Sequence, residues 1–231
     1  MNNKHTRKLT SSFIIAGVIS FLLVLIHTVL HFSGTSPGIF GIVPRNLWGL
    51  TGILTSPWVH GDWNHLLSNL GPIFFLSAAM LYFYRKAALQ AIVWMYLMTG
   101  IWVWIAAHAG SHIGASGMVY AFASYLFFAG VMRRDTRSIA VSLVIAFVYG
   151  SLVWGILPIQ EGVSWESHLF GGLAGVAVAW FTRKIGVTQR RRYAWEEEPE
   201  FSPDDEQAAW NYRKSWSGSG KMYVPRDHLS D

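Results

Sequence analysis

The feature that most constrains this fold is where the acidic residues are absent. All 13 Asp and Glu fall at Asp62, Asp135, Glu161 and Glu166 or beyond Arg192. Between those points lie six apolar segments, about residues 13–32, 66–84, 87–108, 116–132, 138–157 and 168–182. A helix at the surface of a soluble protein needs a polar face, whereas runs that are apolar on every face suit the roughly 30 Å of hydrocarbon in a bilayer. Only 13% of the residues are charged, about half the share of an ordinary soluble domain. The expected class is therefore an all-α membrane protein, a bundle of six transmembrane helices. There is no cysteine, which excludes a disulfide framework and thiolate metal sites.

The net charge of +5 does not point to nucleic acid, because the basic residues sit at segment ends. Lys4, Arg7 and Lys8, then Arg85 and Lys86, then Arg133, Arg134 and Arg137, then Arg183, Lys184, Arg190, Arg191 and Arg192 all fall on one side of a six-pass chain. The three loops opposite hold only Arg45. The bias of Lys and Arg toward the cytoplasm then predicts that both termini are cytoplasmic. Residues 1–12 are expected to be a short cytoplasmic segment, 13–185 the membrane domain and 186–231 a mostly disordered cytoplasmic tail rich in Glu, Asp, Pro, Ser and Gly. The first segment is long enough to span and lacks an obvious cleavage site, so it reads as an anchor. The small size and the lack of an organelle presequence point to a bacterial inner membrane.

Of the three outward loops, residues 33–65 form a long one rich in Gly, Pro and Trp, expected to be a structured element at the membrane interface. The other two span residues 109–115 and 158–167, the latter with Glu161 and Glu166. The fourth and sixth segments are short, about 25 Å or less at 1.5 Å per residue. If their C-terminal ends reach the cytoplasmic surface, their outer ends, Ser116 and His168, lie below the outer one. Irregular backbone at that depth survives only beside protein or a water-filled cavity. A wet indentation with a serine and a histidine on its floor is expected.

Chemistry concentrates in three motifs. Gly114-Ala115-Ser116-Gly117 puts a serine at the start of an apolar helix, where unpaired N–H groups and partial positive charge favour an oxyanion. Taken alone this tetrapeptide is also compatible with plain helix packing. His168 is followed by Gly171 and Gly175 on one helix face, a spacing that lets two membrane helices approach closely. Gly117 and Ala121 offer a matching face on the fourth segment, and their contact would bring His168 to Ser116. Tyr120, one turn after Ser116, either stacks on His168 or is an ordinary interfacial or core aromatic. His65 and Asn69, four apart at the outer end of the second segment, could donate hydrogen bonds to a developing oxyanion. Metal ligation competes, since His60, His65, His108, His112 and His168 gather near the outer side and His108 and His112 have helical ligand spacing. No intramembrane carboxylate accompanies them, and no metal is assigned. His27 and His31 read as interfacial and structural. No internal repeat and no intramembrane acid suggests a transporter.

These motifs, in this order on six segments with both ends inside, resemble the rhomboid intramembrane serine proteases over about residues 10–185. The Gly-x-Ser-Gly stands at Gly114–Gly117, the His-xxx-Asn at His65 and Asn69, and the histidine with Gly-xxx-Gly at His168, Gly171 and Gly175. The resemblance implies Ser116 as nucleophile and His168 as general base in a Ser-His dyad. It implies His65, Asn69 and the Ser116 N–H as the oxyanion hole, with Gly114 and Ala115 supporting it and Tyr120 stacked on the base. No cofactor is implied. The partners implied are transmembrane protein substrates within the lipid bilayer, entering past the fifth segment and the loop with Gly162; nucleic acid is not among them. The chain departs from the family pattern in lacking a Trp-Arg pair near Thr51 and Gly52, and in carrying Ser167 where alanine is common.

Overall fold

A computed structural model describes residues 3–159 and 162–186, together with Gln207 and Trp210. The first compact unit ends at Val187. The expected tail, 186–231, lies outside the described residues except for Gly186, Gln207 and Trp210.

Six long helices are present among the described residues: α1 (Asn3–Ser33), α3 (Trp63–Phe83), α4 (Arg85–Ala106), α5 (Ser116–Arg133), α6 (Thr136–Tyr149) and α7 (Trp165–Thr182). α2 (Gly52–Thr55) is one turn in the long loop. α1 starts ten residues before its apolar run, because Lys and Arg are good helix formers and nothing there breaks the helix. α6 ends at Tyr149 and continues as 3₁₀ turns over Gly150–Ile156. α7 begins three residues before His168, so α5 and α7 both have 18 residues, and the expectation of a still shorter sixth helix is corrected. Glu166, expected in a loop, lies on the first turn of α7 and is buried.

Four stretches are long and apolar enough to cross a membrane: His5–Ser33, Trp63–Phe83, Arg85–Ala106 and Thr136–Ile156. α5 and α7 are not among them, and their position explains why. They form the most intimate helix pair of the bundle. Eleven residues of α5 are buried, among them Tyr125 and Leu126 with no exposed surface. A helix that meets protein on most sides need not be apolar toward lipid, so it can carry Ser116, Ser124 and Tyr125.

Small residues set the α5–α7 contact. A Cβ at Gly171 would overlap the main-chain carbonyl of Gly117, and one at Gly175 would overlap that of Ala121. The backbones thus touch directly near the N-terminal ends, and Ser124 Oγ donates to the Gly172 carbonyl at 2.8 Å. At the opposite ends, Tyr125 and Thr182 hydroxyls lie 3.0 Å apart. The Arg133 guanidinium there stacks on Tyr84 at 4.5 Å and donates to the Ile185 carbonyl at 2.9 Å. Side-chain caps start two helices: Asp62 accepts from the His65 N–H, and Asp135 from the Ser138 N–H.

The loop between α1 and α3 is folded, as expected, into short helical turns at Pro37–Phe40, Trp48–Leu50, Gly52–Thr55 and Ser56–Trp58. Its backbone pairs with the loop before α5 at Ile42 and His112, two N–H···O bonds of 2.9 Å. Arg45 donates to the Ala107 carbonyl at 2.8 Å. Trp48, 87% exposed, and Leu47, 78% exposed, point away from the bundle.

Candidate active site

Ser116 is the first residue of α5, with Ala115 as its N-cap, and His168 lies on the first turn of α7. Gly117 packs against the Ser167 carbonyl, so the residues next to each candidate touch one another. His168 is buried and Ser116 half-buried. Among the described residues no hydrogen bond joins the serine hydroxyl to the imidazole, a looseness common in catalytic pairs without substrate.

Two contacts fix the His168 ring. Tyr120 stacks on it, with centroids 4.2 Å apart and planes within 7°. Of the two roles left open for Tyr120, the structure shows stacking. The second contact is His168 Nδ1 to the Gly155 carbonyl, at 2.8 Å. A carbonyl can only accept, so Nδ1 carries the proton and Nε2 keeps its lone pair, the tautomer a general base needs. A backbone carbonyl therefore holds this imidazole where many hydrolases use a carboxylate. No residue pattern marks Gly155, because every residue has a carbonyl and only the 3₁₀ turns after α6 aim this one.

The turn before Ser116 is built around one glycine. Gly114 has φ +108°, and a Cβ there would overlap the Nε2 edge of His65. Only glycine fits both the backbone and the neighbour. The His65 ring thus lies directly against the serine turn. Its Nδ1 receives a long contact of 3.5 Å from the Gly61 N–H, which leaves Nε2 as the protonated edge. Asn69 is buried, and one of its amide hydrogens goes to the His65 carbonyl at 2.8 Å, leaving the other as a donor.

Two candidates for oxyanion support are occupied elsewhere. The Gly114 N–H donates to the Ser56 carbonyl at 2.9 Å, and the Ala115 N–H to His60 Nε2 at 3.3 Å. They shape the turn, and among the described residues the Ser116 and Gly117 N–H groups at the helix start have no partner outside the helix. His60, a metal-ligand candidate by sequence, is thereby a buried brace of the serine turn. Burial first, then the nearby His65 and His27, push its pKa down to about 3, so the ring stays neutral and able to accept.

His108 and His112 are not on a helix, since α4 ends at Ala106, and their helical spacing is accordingly corrected. His112 Nε2 donates to the His108 carbonyl at 3.0 Å, and His108 faces Glu166. Among the described residues no three His, Cys, Asp or Glu are grouped to hold a metal ion. His27 is buried and packs edge-on against Trp63 at 4.6 Å.

Comparison with known proteins bears on this geometry. A family model described as the rhomboid domain matches residues 44–185, well over half of the chain. The chain belongs to the rhomboid family. Rhomboids are intramembrane serine proteases as a family, and this rhomboid is an integral membrane protein. Uncharacterized proteins of Mycobacterium bovis and Mycobacterium tuberculosis are each 33% identical to it over 69% of this chain and 70% of their own. One from Mycobacterium leprae is 28% identical, over 79% of this chain and 74% of its own. The matched region starts after α1 and ends beyond α7, and so contains the serine turn, His65, Asn69 and His168.

Proposed function

We propose that this rhomboid is an intramembrane serine endopeptidase that cleaves transmembrane proteins in or near their membrane-spanning segments. Ser116 is the nucleophile and His168 the general base. The single observation that carries this is the His168 ring, stacked on Tyr120 and hydrogen-bonded through Nδ1 to Gly155 beside the start of α5. That arrangement supports a base with its free Nε2 next to a serine at a helix N-terminus. Nε2 takes the hydroxyl proton as Ser116 Oγ attacks the scissile carbonyl. The resulting oxyanion accepts from the Ser116 N–H, His65 Nε2–H and the free Asn69 amide hydrogen. The imidazolium then protonates the leaving amine, and water releases the acyl group by the same steps in reverse.

The six long helices all cross the bilayer in this reading, with both termini in the cytoplasm, where the Arg-rich ends lie. The substrate segment enters past α6, whose Leu143 and Phe147 are exposed, and no cofactor takes part. Cleavage of a model transmembrane substrate by purified wild type, Ser116→Ala and His168→Ala, each with and without chelator, tests the proposal. The expected result is wild-type cleavage that resists chelator and falls at least about 10³-fold in either variant. Cleavage that survives Ser116→Ala but is lost to chelator would overturn it in favour of a histidine-bound metal.

A further inference from the structure

Outside the dyad, a polar network joins the two segments that carry it. Glu166 is the one buried carboxylate among the described residues, two positions before His168. Its Oε1 accepts from the His108 main-chain N–H at 3.2 Å and from His108 Nδ1–H at 2.8 Å. A second link runs in parallel. His112 Nε2 donates to the His108 carbonyl, and its Nδ1 is hydrogen-bonded to the Ser164 hydroxyl 2.6 Å away. The Ser164 and Ser167 hydroxyls in turn lie within hydrogen-bond distance, 2.6 Å apart.

We propose that Glu166, assisted by the Ser164–His112 link, is a positioning residue for catalysis, which rests on the serine-protease reading above. The glycine contact of α5 and α7 fixes the helices from Gly117 and Gly171 onward. Apart from Gly117 against the Ser167 carbonyl, it does not join residues 107–115, which lead into Ser116 and are otherwise braced by the first loop and His60, to the first turn of α7. The network does. A buried carboxylate is costly unless its donors stay in place, so any movement of the loop away from α7 strands the Glu166 charge. The loop and the helix start therefore move as one body, and the distance from nucleophile to base is set from behind. His108, with 81% of its side chain exposed, is the outer clasp. Ser167, a departure from the family's usual alanine, takes part through its hydroxyl.

The prediction concerns turnover more than binding, because none of these side chains is assigned to substrate. A displacement of about 1 Å in a catalytic pair lowers rate by as much as about 10²-fold. The test compares full-length wild type, Ser116→Ala, Glu166→Ala, Glu166→Gln and Ser164→Ala on the model substrate, with melting temperatures measured alongside. Glu166→Ala is expected to lower kcat about tenfold or more with KM within about twofold. Glu166→Gln keeps an oxygen for the His108 N–H and is expected to restore kcat to within about threefold of wild type. Should Glu166→Ala fail to fold, Ser164→Ala carries the test, with kcat expected to fall while KM and melting temperature hold. An unchanged kcat in the folded alanine variants overturns the inference, and so does equal loss in Glu166→Gln and Glu166→Ala. An inactive wild type, or an active Ser116→Ala, overturns the protease reading and this inference together.

Discussion

His60 shows what a single side chain does for the serine turn. It is 1% exposed, and its Nε2 holds the Ala115 N–H, so only the neutral ring is compatible with the fold. Its folded pKa of about 3 lies below the ordinary value of 6.5. A group with a lowered basic pKa binds its proton more readily when unfolded. Its contribution to stability is thus complete above about pH 6.5 and is lost as pH falls toward 3, by up to about 1.4 kcal/mol per pH unit. Melting temperature should hold above pH 7 and decline between pH 6.5 and 4. His60→Gln, which keeps an acceptor without a titrating ring, should flatten that decline. An equally steep decline in the variant would assign the effect to other groups.

At the scale of elements, the α5–α7 contact decides whether the candidate dyad exists at all. Gly171 and Gly172 are neighbours with opposite surroundings. A Cβ at Gly171 meets the Gly117 carbonyl, whereas one at Gly172 meets nothing within 4 Å. Gly171→Leu should wedge the helices apart, cost at least about 1–3 kcal/mol and abolish cleavage. Gly172→Ala should fold as well as wild type or gain up to about 1 kcal/mol from helix propensity, with activity kept. Thermal unfolding and substrate cleavage of the two variants check this; similar behaviour in both would show that the contact is not backbone to backbone. The Gly-xxx-Gly spacing announced this face in the sequence. Most helix bounds were legible to within a few residues, but α1 starts well before its apolar run and α6 gives way to 3₁₀ turns at Gly150. His168 is the first apolar-run residue but not the helix start, because the turn before it carries the buried Glu166 between the half-buried Trp165 and Ser167 and need not look like a membrane segment.

For the whole molecule, the Arg clusters at one end and the serine turn at the other define a polarity that labelling can read. The chain has no cysteine, so single cysteines report without interference. In intact bacterial spheroplasts a membrane-impermeant maleimide should label a cysteine at Ser111 and spare one at Arg134, with both labelled after lysis. The reverse pattern would invert the topology and move the site to the cytoplasmic side.

Length, apolarity and the distribution of Lys and Arg are properties of the chain itself, because partition between water and hydrocarbon acts on each segment separately. The bundle class and the expected orientation therefore followed from sequence, and so did Ser116, His168, His65 and Asn69 as residues worth joining. Tertiary structure decided what depends on bringing distant backbone together. It supplied the Gly155 carbonyl that selects the His168 tautomer, and it gave the Gly114 and Ala115 N–H groups to Ser56 and His60. It also folded Glu166 inward from a loop position to face His108. Carbonyls and N–H groups are the same at every residue, so composition and spacing carry no trace of which ones a fold will aim at a site.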